Sequence, residues 1–192
     1  GRIYLCINET PQYVIRQVNG ADRQDIKKAE REDVAIVSTP QLSLTGYTCG
    51  DLFFQEKLLN SAVEGLEIVL EETKDLDIIS IIGMPLRIDN GIYNVAVIIS
   101  RGEILGIVPK TNIVNYTEEA RWFSDSSKLV SDEITLLGQD VLVNTNIIFR
   151  DIANKNISFA VEISEDLEDA CAISAQHAAN GANIIFNLAS SN

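Results

Sequence analysis

Three polar side chains stand just past apolar, strand-like runs: Gln41 after Val34 to Val37, Lys110 after Val108-Pro109, and Ser164 after Ile163. Ends of strands that lead into irregular turns are where α/β proteins usually place chemistry. If the three ends meet in space, an amide, an ammonium and a hydroxyl converge on one site. The turn from Ser38 to Asp51, with Pro40, Thr45, Gly46 and Gly50, looks built to present a working carboxylate, and it carries Gln41. A carboxamide has no basic site near neutral pH. A serine hydroxyl attacks a carbonyl only with a base beside it. Read singly, each residue has a plainer role. Gln41 is then a polar turn residue and Lys110 a solvated strand-end lysine. Ser164 becomes a helix N-cap, because Ser164-Glu165-Asp166-Leu167 opens an acidic first turn.

The elements that must position these residues alternate between strand and helix. Strands are expected at Arg2 to Ile7, Asp33 to Ser38, and Leu76 to Met84, the last closed by Pro85. A short polar helix could run from Asn19-Gly20 through Glu32. The clearest helix is Glu56 to Thr73, with Leu58, Leu59, Ala62, Val63, Leu66, Val69 and Leu70 on one stripe and Glu64, Glu67 and Glu71 opposite. Ile92 to Ser100 and Glu103 to Val108 flank Arg101-Gly102 as a hairpin. Thr111 to Asp140 reads mostly as loop, and loops of that length are usually functional. Val141 to Arg150 and Asn156 to Ile163 follow as strands turning at Asn154-Lys155. A helix from Glu168 to Ala179, stopped by Gly181, and a strand from Asn183 to Leu188 complete the pattern. The class is α/β, a layered sheet with helices outside.

Composition bounds the function. With 15 Lys+Arg against 28 Asp+Glu, the net charge of −13 argues against nucleic acid and anionic membrane surfaces as partners. Cys6, Cys49 and Cys171 are odd in number and far apart, which suits a reduced, cytoplasmic protein without a disulfide framework or zinc site. The acids Glu162, Glu165, Asp166, Glu168 and Asp169 read as helix-start acids with one site residue rather than as a metal cluster. His177 has no second histidine spaced to use it and is read as a packing or surface residue. Trp122 and Phe123 either line a pocket or close a loop onto the core.

The strings TPQLSLTGYTCGDLF, GEILGIVPKTNIVNY, VEISEDL and GANIIFNLASSN, in this order, resemble the nitrilase, or carbon–nitrogen hydrolase, superfamily. More narrowly they resemble the glutaminase domain of glutamine-dependent NAD synthetases. The resemblance implies an αββα sandwich of mixed sheets with a Glu–Lys–Cys triad at the strand ends. The cysteine attacks the amide carbon of glutamine, the glutamate moves protons and the lysine stabilises the oxyanion. Lys110 matches the lysine, Tyr116 a substrate-contacting tyrosine, and Glu119 the second glutamate, with two residues missing just before it. Glu165 and Ser191 match residues near the glutamine. Gln41 stands where the family has its glutamate and Ser164 where it has its cysteine. Thr39 and Glu168 replace two aromatic residues.

The resemblance further implies glutamine or a similar small amide as ligand, no cofactor, and homo-oligomers built through sheets and loops. It leads us to expect residues 1–192 as a single glutaminase-type domain, truncated at its C-terminus, without a synthetase domain or its SGGxDS-like phosphate loop. With both triad positions changed, impaired hydrolysis is expected. A non-catalytic binding or oligomerisation module, or a residual hydrolase using Ser164 on a more reactive acyl substrate, remain the alternatives.

Overall fold

A computed structural model describes residues 23–114, 117–151, 156–168 and 172–190. Its frame is a four-stranded sheet in the order β1-β2-β3-β4: β1 Ile36–Ser38, β2 Ile79–Ile88, β3 Gly91–Ser100 and β4 Glu103–Pro109. β1 runs parallel to β2, and the other neighbours are antiparallel. Strict alternation on β3 explains the layering. Val95, Val97 and Ile99 point to one side, where Ile26 and Ala29 of α1 (Arg23–Arg31) and Ala62, Leu66, Val69 and Leu70 of α2 (Glu56–Thr73) cover them. Ala96 and Ile98 point to the other side and meet Phe159, Val161 and Ile163 of a second sheet. Each large apolar side chain buried in this way contributes about 1.5–3 kcal/mol relative to exposure.

The second sheet has the order β7-β8-β9, with β7 Phe149–Arg150, β8 Ser158–Ile163 and β9 Ile184–Leu188. β8 is antiparallel to β7 and parallel to β9. α4, Ile173–Ala179, lies against β8. Helices, sheet, sheet and helix stack as an αββα sandwich.

Several boundaries differ from the sequence reading. β2 runs through Pro85 to Ile88 instead of stopping before it. β1 pairs only with Ile79 to Ile81, so no ladder partner stands on that side at Pro85, where a missing N–H is tolerated. The expected loop from Thr111 to Asp140 contains a hairpin, β5 Glu133–Leu136 and β6 Gln139–Leu142, and the four-residue helix α3, Glu119–Trp122. Leu137 and Gly138 both take positive φ there, as a two-residue hairpin turn requires. The expected strand from Val141 to Arg150 is split between β6 and β7. The expected helix from Glu168 is a 3-10 turn over Ser164–Glu168 followed by α4. The strand at Arg2 to Ile7 and the turn at Asn154-Lys155 lie outside the described residues. Among those described, no helix is long and apolar enough to cross a membrane.

Candidate functional site

The turn after β1 rests directly on the sheet because Gly83 of β2 has no side chain. A Cβ there would stand 2.3 Å from the Pro40 carbonyl oxygen and 2.7 Å from the Gln41 Cα. Hydroxyls stitch the contact. The Gly83 amide donates to Thr39 Oγ1 at 3.1 Å, and Ser43 Oγ donates to the Gly83 carbonyl at 3.0 Å. The Thr39 and Ser43 hydroxyls lie 2.7 Å apart. Thr39, a departure from the resembling pattern, therefore has a structural task. Leu42 takes the left-handed φ of 55°, which turns the chain so that Gln41 is buried at 3% exposure.

Gln41 Oε1 accepts a hydrogen bond of 2.9 Å from Asn94 Nδ2 on β3. Asn94 in turn accepts, through its backbone carbonyl, the amide of Lys110 at 2.8 Å. Asn94 is thus the bridge between the first two strand ends. It was missed in the sequence, where the available signal was a lone carboxamide inside the apolar run from Ile92 to Ser100.

Lys110 is 1% exposed, and its ammonium bonds both Glu119 and Glu165. Burial works against its charge, but the two carboxylates outweigh it and hold the lysine above its ordinary pKa. Burial likewise pushes Glu165 up, and the Lys110 ammonium together with hydrogen bonding more than reverses this, keeping that carboxyl below its usual value. Tyr47, at the rim of the same cluster, is raised by burial and then by the charge of Glu119. Asp166 ties the third strand end to the second. It accepts from the amides of Thr111 at 3.0 Å, Asn112 at 2.6 Å and Ile163 at 3.0 Å. Burial still pushes its carboxyl upward.

Ser164 follows β8 with φ 50°, a left-handed conformation and not the extended one of a helix N-cap. Its backbone carbonyl accepts from Asn187 Nδ2 at 3.0 Å. The structure thus joins Gln41, Lys110, Glu119 and Glu165 in one connected network, with Ser164 beside Glu165 in the chain. Ser190 adds a hydroxyl bond of 3.3 Å to the Gln41 carbonyl. Tyr116 and Ser191 lie outside the described residues. Trp122 and Phe123 close a loop onto Phe53, at ring distances of 5.8 and 4.8 Å. The Trp122 indole donates to Asp51. Among the described residues, no three metal-ligating side chains gather.

Comparison with known proteins supplies the class. No family model matches the chain. Its architecture is shared with an amidase of the nitrilase superfamily from Nesterenkonia (TM-score 0.62, 16% identity, 89% of this chain and 61% of that one). It is shared more closely with a glutamine-dependent NAD(+) synthetase from Cytophaga hutchinsonii (TM-score 0.73, 24% identity, 88% of this chain and 27% of that one). The fold is that of the nitrilase superfamily. Within it, the sequence is 32% identical over 179 residues to the glutamine-dependent NAD(+) synthetase of Mycobacterium tuberculosis, covering 90% of this chain and 26% of the relative. The corresponding enzyme of Aquifex aeolicus is 26% identical over 180 residues, covering 92% and 28%. The chain is homologous to a segment of glutamine-dependent NAD(+) synthetases and spans about a quarter of their length.

Proposed function

We propose that residues 1–192 form a single glutaminase-type domain that retains the frame of a glutamine site and does not hydrolyse glutamine at a useful rate. The observation that carries this reading is the buried Lys110, held between Glu119 and Glu165 and linked through Asn94 to Gln41. A buried ammonium with two carboxylate partners suits the stabilisation of an oxyanion near its free face. One oxygen of Glu119 and the side-chain oxygen of Asn94 are buried without a partner among the described residues. Two such acceptors, one on an ion-pair partner of Lys110 and one on the residue bonded to Gln41, fit the N–H donors of a carboxamide. Two carboxylates around one ammonium also leave a net negative charge, which favours the amino group of a free amino acid.

The proton transfers lack a carrier. Gln41 cannot accept a proton, and Ser164 has Glu165 as its neighbouring carboxylate. That carboxylate is committed to Lys110 and held at low pKa, so it is a poor base. In the reaction the resemblance implies, residue 164 would attack the amide carbon and residue 41 would carry its proton to the departing ammonia. Water would then cleave the acyl intermediate. Neither side chain present serves that role well. The synthetase chemistry that would consume ammonia belongs, in this reading, to a separate unit. Assembly of the domain into homo-oligomers and a cytoplasmic location complete the proposal.

The test is the pair of substitutions Gln41→Glu and Ser164→Cys, assayed for ammonia release from glutamine. We expect the double variant to hydrolyse glutamine at least ~10⁴-fold faster than the parent. A folded double variant without activity, or a parent whose turnover survives Ser164→Ala, would overturn the reading.

A further inference from the structure

Asn187, on β9, lies directly across from Glu162 in the parallel register of β8 and β9. Its Nδ2 donates to Glu162 Oε1 at 3.1 Å and to the backbone carbonyl of Ser164 at 3.0 Å. Both partners are acceptors, so the orientation of the amide is fixed by chemistry: only the NH₂ end can serve them. Glu162 is buried at 1% exposure, and its carboxylate anchors that amide. Ser164 sits at φ 50°, which a residue with a Cβ adopts only when its surroundings enforce it. The bond from Asn187 reaches the carbonyl of this very residue.

We propose that Asn187, oriented by Glu162, is a positioning residue that holds residue 164 in its left-handed turn and so sets the direction of the side chain there. The proposal rests on the reading of position 164 as the nucleophile's place. It extends that reading to two residues that touch no reacting atom. A misplacement of about 1 Å in a nucleophile is enough to lose two orders of magnitude in rate.

The experiment uses the Gln41→Glu, Ser164→Cys protein with and without Asn187→Ala. Glutamine kinetics are measured beside the rate at which iodoacetamide alkylates each cysteine, resolved by peptide mass spectrometry. We expect kcat to fall at least about tenfold with KM changed less than about threefold. Alkylation of the new cysteine at 164 should slow about tenfold as the thiol turns away from the Lys110 ammonium, while Cys49 keeps its rate. An unchanged or faster rate at 164 would overturn the proposal. If the background protein fails to hydrolyse glutamine, the glutaminase reading falls, and the alkylation comparison still decides the positioning role. If Asn187→Ala does not fold, Glu162→Met with Asn187→Leu replaces both partners by apolar volume and removes the same bond. The slowing at 164 is expected there as well, and its absence is equally decisive.

Discussion

At the scale of single residues, Lys110 carries the largest electrostatic stake. Its ammonium is enclosed with Glu119, itself 3% exposed, so removing the cation leaves a carboxylate in the interior without compensation. Lys110→Met should cost about 3–5 kcal/mol in urea unfolding at pH 7. The pH dependence follows from the directions of the shifts. Lys110 is raised in the folded protein, so its contribution is complete below the ordinary lysine value and is lost as pH climbs through the folded one. Glu165 is lowered, so its contribution is present above the ordinary carboxylate value of about 4.3 and is lost as pH falls through the folded one. Glu165→Gln should therefore flatten the acid limb of stability against pH and, because Glu165 is one of the two carboxylates that raise Lys110, move the alkaline loss to lower pH; an acid limb as steep as the parent's would contradict the assignment. Lys110 was legible as a polar residue at a strand end, and Glu119 and Glu165 through the resemblance to the nitrilase superfamily. Asn94 and Asn187 were not, because a buried amide inside an apolar strand declares its partner only when the neighbouring strand is in place.

At the scale of elements, the post-β1 turn exists in its observed form only because one sheet residue is glycine. α2 was legible to its ends, since a stripe of apolar residues with glutamates opposite has one reading. The seat of the turn was not: Gly83 lies 42 positions from Gln41, and nothing local to either residue announces the contact. Gly83→Ala drives a methyl into Pro40, Gln41 and Leu42 backbone atoms at 2.3 to 2.8 Å, none of which is the end of a flexible side chain. The turn must lift, at a cost of about 3 kcal/mol in stability. Lifting breaks the Asn94 bond to Gln41. In the Gln41→Glu, Ser164→Cys background, Gly83→Ala should then abolish glutamine hydrolysis at temperatures where the protein is still folded by circular dichroism. Retained hydrolysis would show that the turn tolerates the displacement.

For the whole molecule, the consequence of a two-sheet design is that the site is divided between unequal partners. β2 and β3 pair over ten residues and are covered on both faces, by helices on one side and by the second sheet on the other. The second sheet offers a two-residue β7 and, among the described residues, β9 at its margin. Gln41, Asn94 and Lys110 belong to the strong sheet, Ser164 and Glu165 to the weak one. Clasps between them include the Lys110 to Glu165 ion pair, the Thr111 and Asn112 amides bound by Asp166, and the Ser190 hydroxyl bond to the Gln41 carbonyl. The αββα layering was legible from the alternation of elements. The inequality of the sheets was not, because the stretch from Val141 to Arg150 reads as one strand, whereas the chain spends its start on the β5–β6 hairpin and only its end on β7. Cooperative units of unequal stability exchange their amides at unequal free energies. Native-state hydrogen exchange should find Ile81, Ile82 and Val95 to Ile98 opening only with global unfolding, and Phe149, Arg150 and Ile184 opening at lower free energy. Asp166→Ala should speed exchange at Thr111, Asn112 and along β8 and β9, without altering the ranking of β2 and β3. Equal protection of both sheets would mean that the two halves of the site cannot part without unfolding the whole domain. Lower protection of the second sheet would mean that residue 164 can leave Lys110 while the main sheet stays intact.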